Sequence, residues 1–362
     1  MMDVSKYQHG GEPNALFKRL GIAEREVTDF SVNLNYRGVP EVVQQKWQSM
    51  MTALTTYPSL NGDGVSKLYM TKYQLPNTAI VPANGSAEMM YRVAAALHPR
   101  RVVVFHPSFY HYEKAFVTSG SEVIHTPLSH LTSEATIDGR HILNCCQNAD
   151  AVIIGNPNNP TGDVIAREAL IDFTQNNPEK YLIVDEAFMP FVERPGDYSV
   201  LKDVVHHPNL LVLHSLTKFY ALPGIRLGAL LAHPSIASRL KSTAPPWMIN
   251  TIGERIANDL LNCDDFDRDS IHSLSNEKRR LQKEYETIEG VTVSFGAANF
   301  AFAKWRKTEE LDDLHRFLLS QGLHVRDCRN FKGIQDQAFR FAVLHPSQND
   351  RLSAALKKIA ST

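Results

Sequence analysis

The chain is short of several things, and each shortage argues against a class of function. No apolar run approaches the ~20 residues that a membrane helix needs, so a spanning protein is not expected. The first residues, Met1-Met2-Asp3-Val4-Ser5-Lys6-Tyr7-Gln8-His9, carry nothing like the apolar core of a secretory signal. Only four cysteines occur: Cys145, Cys146, Cys263 and Cys328. None forms a C-x-x-C pair, and the adjacent Cys145 and Cys146 make poor disulfide partners, so reduced thiols in a cytoplasmic protein are expected. An excess of charge is missing too. Lys and Arg total 38 against 39 Asp and Glu, interspersed along the chain, so no basic field recruits nucleic acid or an acidic membrane. The fifteen histidines include no H-E-x-x-H, and their one adjacent pair, His206-His207, sits before Pro208. No metal site is expected.

What is present is an ordinary globular composition. At 362 residues and 43% hydrophobic, the chain is long enough for one large domain and a smaller one. Neither an internal repeat nor a Ser/Gly linker interrupts it. Asp29 to Gly38 reads as a strand entering a turn, and Pro40 starts a helix through about Met51. After Val81-Pro82-Ala83-Asn84-Gly85-Ser86, good helix formers run to Leu97, with Ser86 as the expected cap. Arg101 to Phe105 is the next strand, and strand and helix patterns then alternate to about Ala232. That alternation predicts an α/β fold with a mostly parallel sheet covered on both faces. From Pro234 the pattern changes to α+β. Helices are expected over Ile252–Leu261, Ser273–Ile288 and Glu309–Gln321, and strands over Val291–Phe295, Phe300–Ala303 and Phe339–Leu344; Ser347 opens a last helix.

The chemistry gathers at strand ends. The apolar run Asn209 to His214 delivers Ser215-Leu216-Thr217-Lys218-Phe219-Tyr220-Ala221-Leu222-Pro223-Gly224-Ile225-Arg226. A second strand, Tyr181 to Val184, ends in Asp185-Glu186-Ala187-Phe188, and a third, Ala151 to Ile154, runs into Gly155-Asn156-Pro157-Asn158-Asn159-Pro160-Thr161-Gly162. Open α/β sheets bind ligands at such carboxyl ends. A lone lysine is most often a solvated charge, but a partly desolvated one has a lowered pKa and attacks aldehydes. Arg226 is either a salt-bridge residue or a phosphate clamp. Asp185 suits a metal or the protonated nitrogen of a pyridine ring. Without companion ligands the ring is the better reading, because a charge pair ~4 Å apart at an effective dielectric near 20 is worth about 4 kcal/mol. Asn84 to Ala87 offers free N–H groups to an anion, and Phe109 and Tyr112 are either core aromatics or a cover for a flat ring.

Together these runs resemble the fold-type I pyridoxal-phosphate enzymes of the aspartate aminotransferase superfamily over nearly the whole chain. The resemblance implies a mostly parallel seven-stranded sheet in a large domain at 40–245. It also implies a smaller α+β domain at 246–362, with residues 1–39 as an arm completing it. Lys218 then carries pyridoxal 5′-phosphate, Asp185 pairs with its ring nitrogen, and Asn159 meets its hydroxyl. Ser86, Ala87, Ser215 and Arg226 hold its phosphate, and Phe109 stacks on the ring. Tyr57 reaches the cofactor of a second subunit in a homodimer. His9, Asn33, Arg326 and Arg340 face the substrate, Arg340 at its carboxylate and Arg326 at a phosphate.

Two branches of the superfamily compete. Histidinol-phosphate aminotransferases carry D-E-A-Y where this chain has Phe188. The S-L-T-K-F-Y-A run, D-E-A-F and His9-Gly10-Gly11 resemble threonine-phosphate decarboxylases of cobalamin biosynthesis more closely. Against that pattern, Tyr36 replaces a proline, Gly-Ser-Ala stands at Gly85 to Ala87, and Leu344 replaces a second arginine four residues after Arg340. The expectation is α-decarboxylation of a phosphorylated amino acid, with aminotransfer as the alternative and a non-catalytic protein of this fold third.

Overall fold

The computed structural model describes residues 10–128, 146–306, 310–334 and 337–361. Its strands are β1 (Thr28–Asp29), β2 (Ile80–Ala83), β3 (Arg101–His106), β4 (Glu122–Pro127), β5 (Ala151–Gly155), β6 (Tyr181–Asp185), β7 (Leu210–Ser215), β8 (Gly228–Ala232), β9 (Val291–Ser294), β10 (Phe300–Trp305), β11 (Leu323–His324), β12 (Arg326–Asp327) and β13 (Ala338–Ala342). The helices used below are α1 (Pro13–Leu20), α2 (Glu41–Met50), α3 (Asp63–Tyr73), α4 (Gly85–Leu97), α5 (His111–Thr118), α6 (Arg167–Asn176), α7 (Pro234–Ser242), α8 (Thr251–Asp259), α9 (Asp264–Tyr285), α10 (Leu311–Ser320) and α11 (Pro346–Ala360).

Seven strands form the main sheet in the order β2-β8-β7-β6-β5-β3-β4. Six point the same way; β8 alone is reversed, lying antiparallel between β7 and β2. Side-chain alternation divides each central strand between two cores. Val103, Val152, Ile154, Leu182, Val184, Leu210 and Val212 enter one, while Val102, Val104, Ile153, Ile183, Leu211 and Leu213 enter the other with Met89, Val93 and Phe116 of α4 and α5. Burying both faces explains why these strands read as continuous apolar runs. Each of these buried aliphatic side chains contributes roughly 1.5–3 kcal/mol.

The smaller sheet is antiparallel, in the order β12-β13-β10-β9. The N-terminal segment joins it: β1 pairs in parallel with β11, and the Ala342 amide donates to the Phe30 carbonyl at 2.8 Å. Leu16, Phe17 and Leu20 of α1 pack on Leu319 of α10. Among the described residues no helix is long and apolar enough to cross a membrane.

Three local expectations need correction. The first strand stops at Asp29, because the Asp29 carboxylate accepts from the Ser31 amide at 2.8 Å and Asn35 Oδ1 from the Arg37 amide at 3.1 Å. Such local side-chain bonds draw the backbone out of a ladder. Ser86 does not cap α4: the cap position is Asn84, which makes no capping bond and whose side-chain amide donates to the Met248 carbonyl at 2.6 Å. The helix expected from Ser273 starts instead at Asp264. Asp264, Asp265 and Asp267 in its first turn complement the helix dipole, a polar start that carried no apolar periodicity.

Candidate active site

The carboxyl ends of β5, β6 and β7 and the start of α4 surround a cavity of about 220 Å³, lined by Ser86, Phe109, Asn159, Asp185 and Lys218 among others. Lys218 sits three residues beyond β7 and is only partly exposed. Burial, helped by Arg226 and Arg340 and opposed by Asp185, pulls its amine below the ordinary lysine value. More of the amine is therefore unprotonated at neutral pH, the form that attacks a carbonyl carbon.

Asp185 ends β6 almost fully buried. Its Oδ2 accepts from the Tyr112 hydroxyl at 3.0 Å and its Oδ1 from the Ala187 amide at 3.0 Å. Burial pushes its carboxyl up to about 6, against the pull of those two donors and of Lys218. Among the described residues no cation forms an ion pair with this carboxyl, so a cationic ring nitrogen would suit it. The sequence offers Tyr112, like Phe109, as a core aromatic or a ring cover; its bond to Asp185 carries no sequence signal. Gly155 makes room for it, since a Cβ there would lie 2.9 Å from the Tyr112 hydroxyl. The neighbouring Glu186 points the other way, accepting from Ser199 Oγ at 2.7 Å and the Val200 amide at 2.8 Å.

At the other end of the cavity α4 begins, with its first-turn N–H groups free of a side-chain cap. Arg226 adopts the left-handed φ of 62° and donates to the carbonyls of Pro223 at 3.3 Å and Asn84 at 3.5 Å. Its guanidinium lies so close to Gly85 that a Cβ there would come within 2.7 Å. Ser215 and Thr217 share a hydrogen bond at 2.8 Å beneath. A helix start, a guanidinium and two hydroxyls form a donor set that fits a phosphate. Ser86 and Ala87 lie in the first turn of that helix; Thr217 is a further donor that the sequence reading had not singled out.

Arg340, on β13, is buried beside Lys218. It donates to Asn159 Oδ1 and, at 2.9 Å, to the Ser31 carbonyl, and its guanidinium lies 5.2 Å above the Phe300 ring. Its Nε and the Asn33 Oδ1 atom are buried without partners among the described residues. Phe188 meets Phe300 edge-on at 5.0 Å and completes the apolar wall. Asn156 and Asn158 spend their side chains holding the loop after β5, through the Ile165 amide at 2.9 Å and the Pro107 carbonyl at 3.0 Å. That leaves Asn159 facing the cavity.

Two expected residues, Arg326 and Tyr57, are not brought into this cavity. Arg326 lies opposite Arg340 in the β12–β13 ladder and lines a neighbouring cavity of about 660 Å³, beyond Phe109. Tyr57 is 81% exposed and packs on Trp247 with ring centroids 4.9 Å apart. His9 lies outside the described residues.

Such a pocket suits a flat, anionic ring cofactor tethered by an amine, within the fold-type I class of α/β enzymes. More narrowly, the chain belongs to the aminotransferase class I and II family, whose model matches residues 25–356. The cofactor is pyridoxal 5′-phosphate. The chain is 31% identical to threonine-phosphate decarboxylase of Salmonella typhimurium over 357 residues, covering 97% of this chain and 96% of that one. The histidinol-phosphate aminotransferase structure from Clostridium acetobutylicum superposes with a TM-score of 0.85 at 29% identity, covering 92% of this chain and 98% of the other. A histidinol-phosphate aminotransferase from Sinorhizobium meliloti, solved with pyridoxal 5′-phosphate, shares the fold at a TM-score of 0.84 and 17% identity, covering 100% of this chain and 97% of that one.

Proposed function

We propose that the protein decarboxylates a phosphorylated amino acid at Cα, with L-threonine O-3-phosphate as the first candidate and (R)-1-amino-2-propanol O-2-phosphate as its product. That product is a building block of the cobalamin side chain; O-phosphoserine and a phosphonate amino acid are the next candidates. Bound pyridoxal 5′-phosphate supplies an electron sink for bond cleavage at the substrate Cα. In this reading Lys218 tethers the cofactor and afterwards moves a proton at Cα. Asp185 holds the ring nitrogen charged, and Asn159 meets the ring hydroxyl. Ser86, Ala87, Ser215 and Arg226 hold the phosphate, while Phe109 covers the ring. Arg340 and Asn33 take the substrate amino acid, and Arg326 takes the distal phosphate, with His9 assigned to the same end. Tyr57 serves the partner's cofactor in a homodimer.

The observation that carries decarboxylation is Phe188. It presents an apolar edge to Phe300, directly behind Arg340, and donates no hydrogen bond into the cavity. The near full-length similarity to threonine-phosphate decarboxylase supports the same reading. A second reading, aminotransfer on a phosphorylated substrate, is favoured by the likeness to the Clostridium aminotransferase. One experiment separates them: incubation with O-phosphothreonine or O-phosphoserine, with and without a 2-oxo acid, while CO₂ and amine products are followed. Release of CO₂ without need of a 2-oxo acid is expected. Amino transfer with no CO₂ from any phosphorylated amino acid would select the second reading.

A further inference from the structure

The larger cavity beyond Phe109 has a wall that the reading above leaves unused. β3 and β4 run parallel with Val104 opposite His125, so His106 and His125 project from the same face of the sheet. Their rings lie 6.2 Å apart, and the Nδ1 atom of each is buried with no hydrogen-bond partner among the described residues. The segment carrying Lys332 and Gly333 closes over them. Gly333, at φ 85°, approaches so closely that a Cβ there would lie 2.3 Å from His106 Nδ1. Lys332 stands near enough to repel the charged form of both imidazoles, and no carboxylate among the described residues lies within ion-pair distance of it.

The other charges facing this space are Glu113, Arg326 and Arg329. Glu113 lies 3.4 Å from His125 Nε2. Arg329 is engaged by Asp327 at 2.7 Å and Asp312 at 2.5 Å. The wall thus gathers a lysine and two imidazoles against one carboxylate, and burial together with Lys332 holds both histidines below their ordinary value. A lysine and two imidazoles lining one cavity repel one another when charged, and an oxyanion bound there would offset that repulsion through charge-assisted contacts.

We propose that His106, His125 and Lys332 form a subsite for a phosphate-type oxyanion, separate from the cofactor pocket. Two sources share that chemistry: the distal phosphate of the substrate, reaching past Phe109, and free phosphate. The site itself stands apart from the reading above; only assignment to the substrate's own phosphate rests on it. Bound oxyanion raises the affinity of both imidazoles for protons, so binding near neutral pH takes up protons.

The test is calorimetric titration of inorganic phosphate into the holoenzyme, in buffers of different ionisation heat, for the wild type, Lys332→Gln and His125→Gln. One phosphate should bind with proton uptake. Lys332→Gln should weaken it about tenfold, the scale of one charge-assisted contact, and His125→Gln should reduce the uptake. If the occupant is the substrate's phosphate, KM for O-phosphothreonine rises in step while kcat holds. Weakened phosphate binding with an unchanged KM assigns the subsite to free phosphate and leaves the proposal standing. Absence of phosphate binding, or binding unaltered in both variants, overturns it. Should no phosphorylated amino acid turn over while phosphate binding still depends on Lys332, the functional reading fails and the subsite survives.

Discussion

The Tyr112 hydroxyl donates to Asp185 Oδ2 across 3.0 Å, joining the first turn of α5 to the end of β6 inside the core. That bond favours the ionised carboxyl against a burial that pushes its pKa up to about 6. Removing the donor must raise the value further. In Tyr112→Phe the ionised fraction is lost at a higher pH, so the acid limb of kcat/KM should move upward while activity well above it recovers. A pH–rate profile measures this, and an unmoved acid limb would show that Asp185 does not govern it.

Lys218 is the amine expected to tether the cofactor. The purified protein should absorb in the visible range, and borohydride should fix the cofactor on a peptide containing Lys218. Lys218→Ala should lose turnover on the order of 10³-fold, the range of an acid–base group at the reacting atom. Retained turnover, with the cofactor fixed on another lysine, would refute the assignment.

Arg340 is held by Asn159, the Ser31 carbonyl and the face of Phe300. Lysine keeps the charge but loses the planar fork, so Arg340→Lys should raise KM roughly tenfold or more, with the cofactor spectrum unchanged. Phe300→Leu removes the ring beneath the guanidinium, together with its edge contact to Phe188, and should produce a smaller rise in the same direction. Steady-state kinetics on both variants checks the order.

Tyr57 and Trp247 stand exposed with Trp47, Met51, Leu54 and Leu60, an apolar set that a second subunit would cover. Sedimentation should show a dimer at micromolar concentration, and Tyr57→Ala should weaken cofactor retention without dissociating it. A fully active monomer would contradict the shared site.

Glu186 is buried with two donors, and burial pushes its carboxyl up to about 8. The folded value lies above the unfolded one, so its contribution to stability is complete at low pH and is lost as pH rises toward 8. Glu186→Gln keeps an acceptor for Val200 and removes the titration. It should raise the melting temperature relative to wild type at pH 8.5 but not at pH 5, as thermal scans at the two values will show.

Much of the site was legible because its residues follow apolar strands at short, fixed offsets. Continuous short runs at Ala151–Ile154, Tyr181–Val184 and Leu210–Leu213 read as strands buried on both faces, and the residues after them then emerge at one edge. Lys218 and Asp185 stand out as candidates in this way, and the mostly parallel sheet with them, whereas Asn159 is singled out from Asn156 and Asn158 only by the family resemblance. Short strands were less legible: β1 pairs through only two residues, and the acidic start of α9 carries no apolar period.

What the sequence determined by itself is the type of chemistry at the strand ends, since local pattern and order suffice to place it. Which groups meet there was decided by tertiary structure. Tyr112 and Asp185 are 73 residues apart, Asn159 and Arg340 181, and Ser31 and Arg340 309. The direction of Arg326 followed the same rule, because a cross-strand neighbour of Arg340 faces whichever cavity the packed loops leave beside it. Contacts of this kind arise from the packing of whole elements, and no spacing along the chain encodes them.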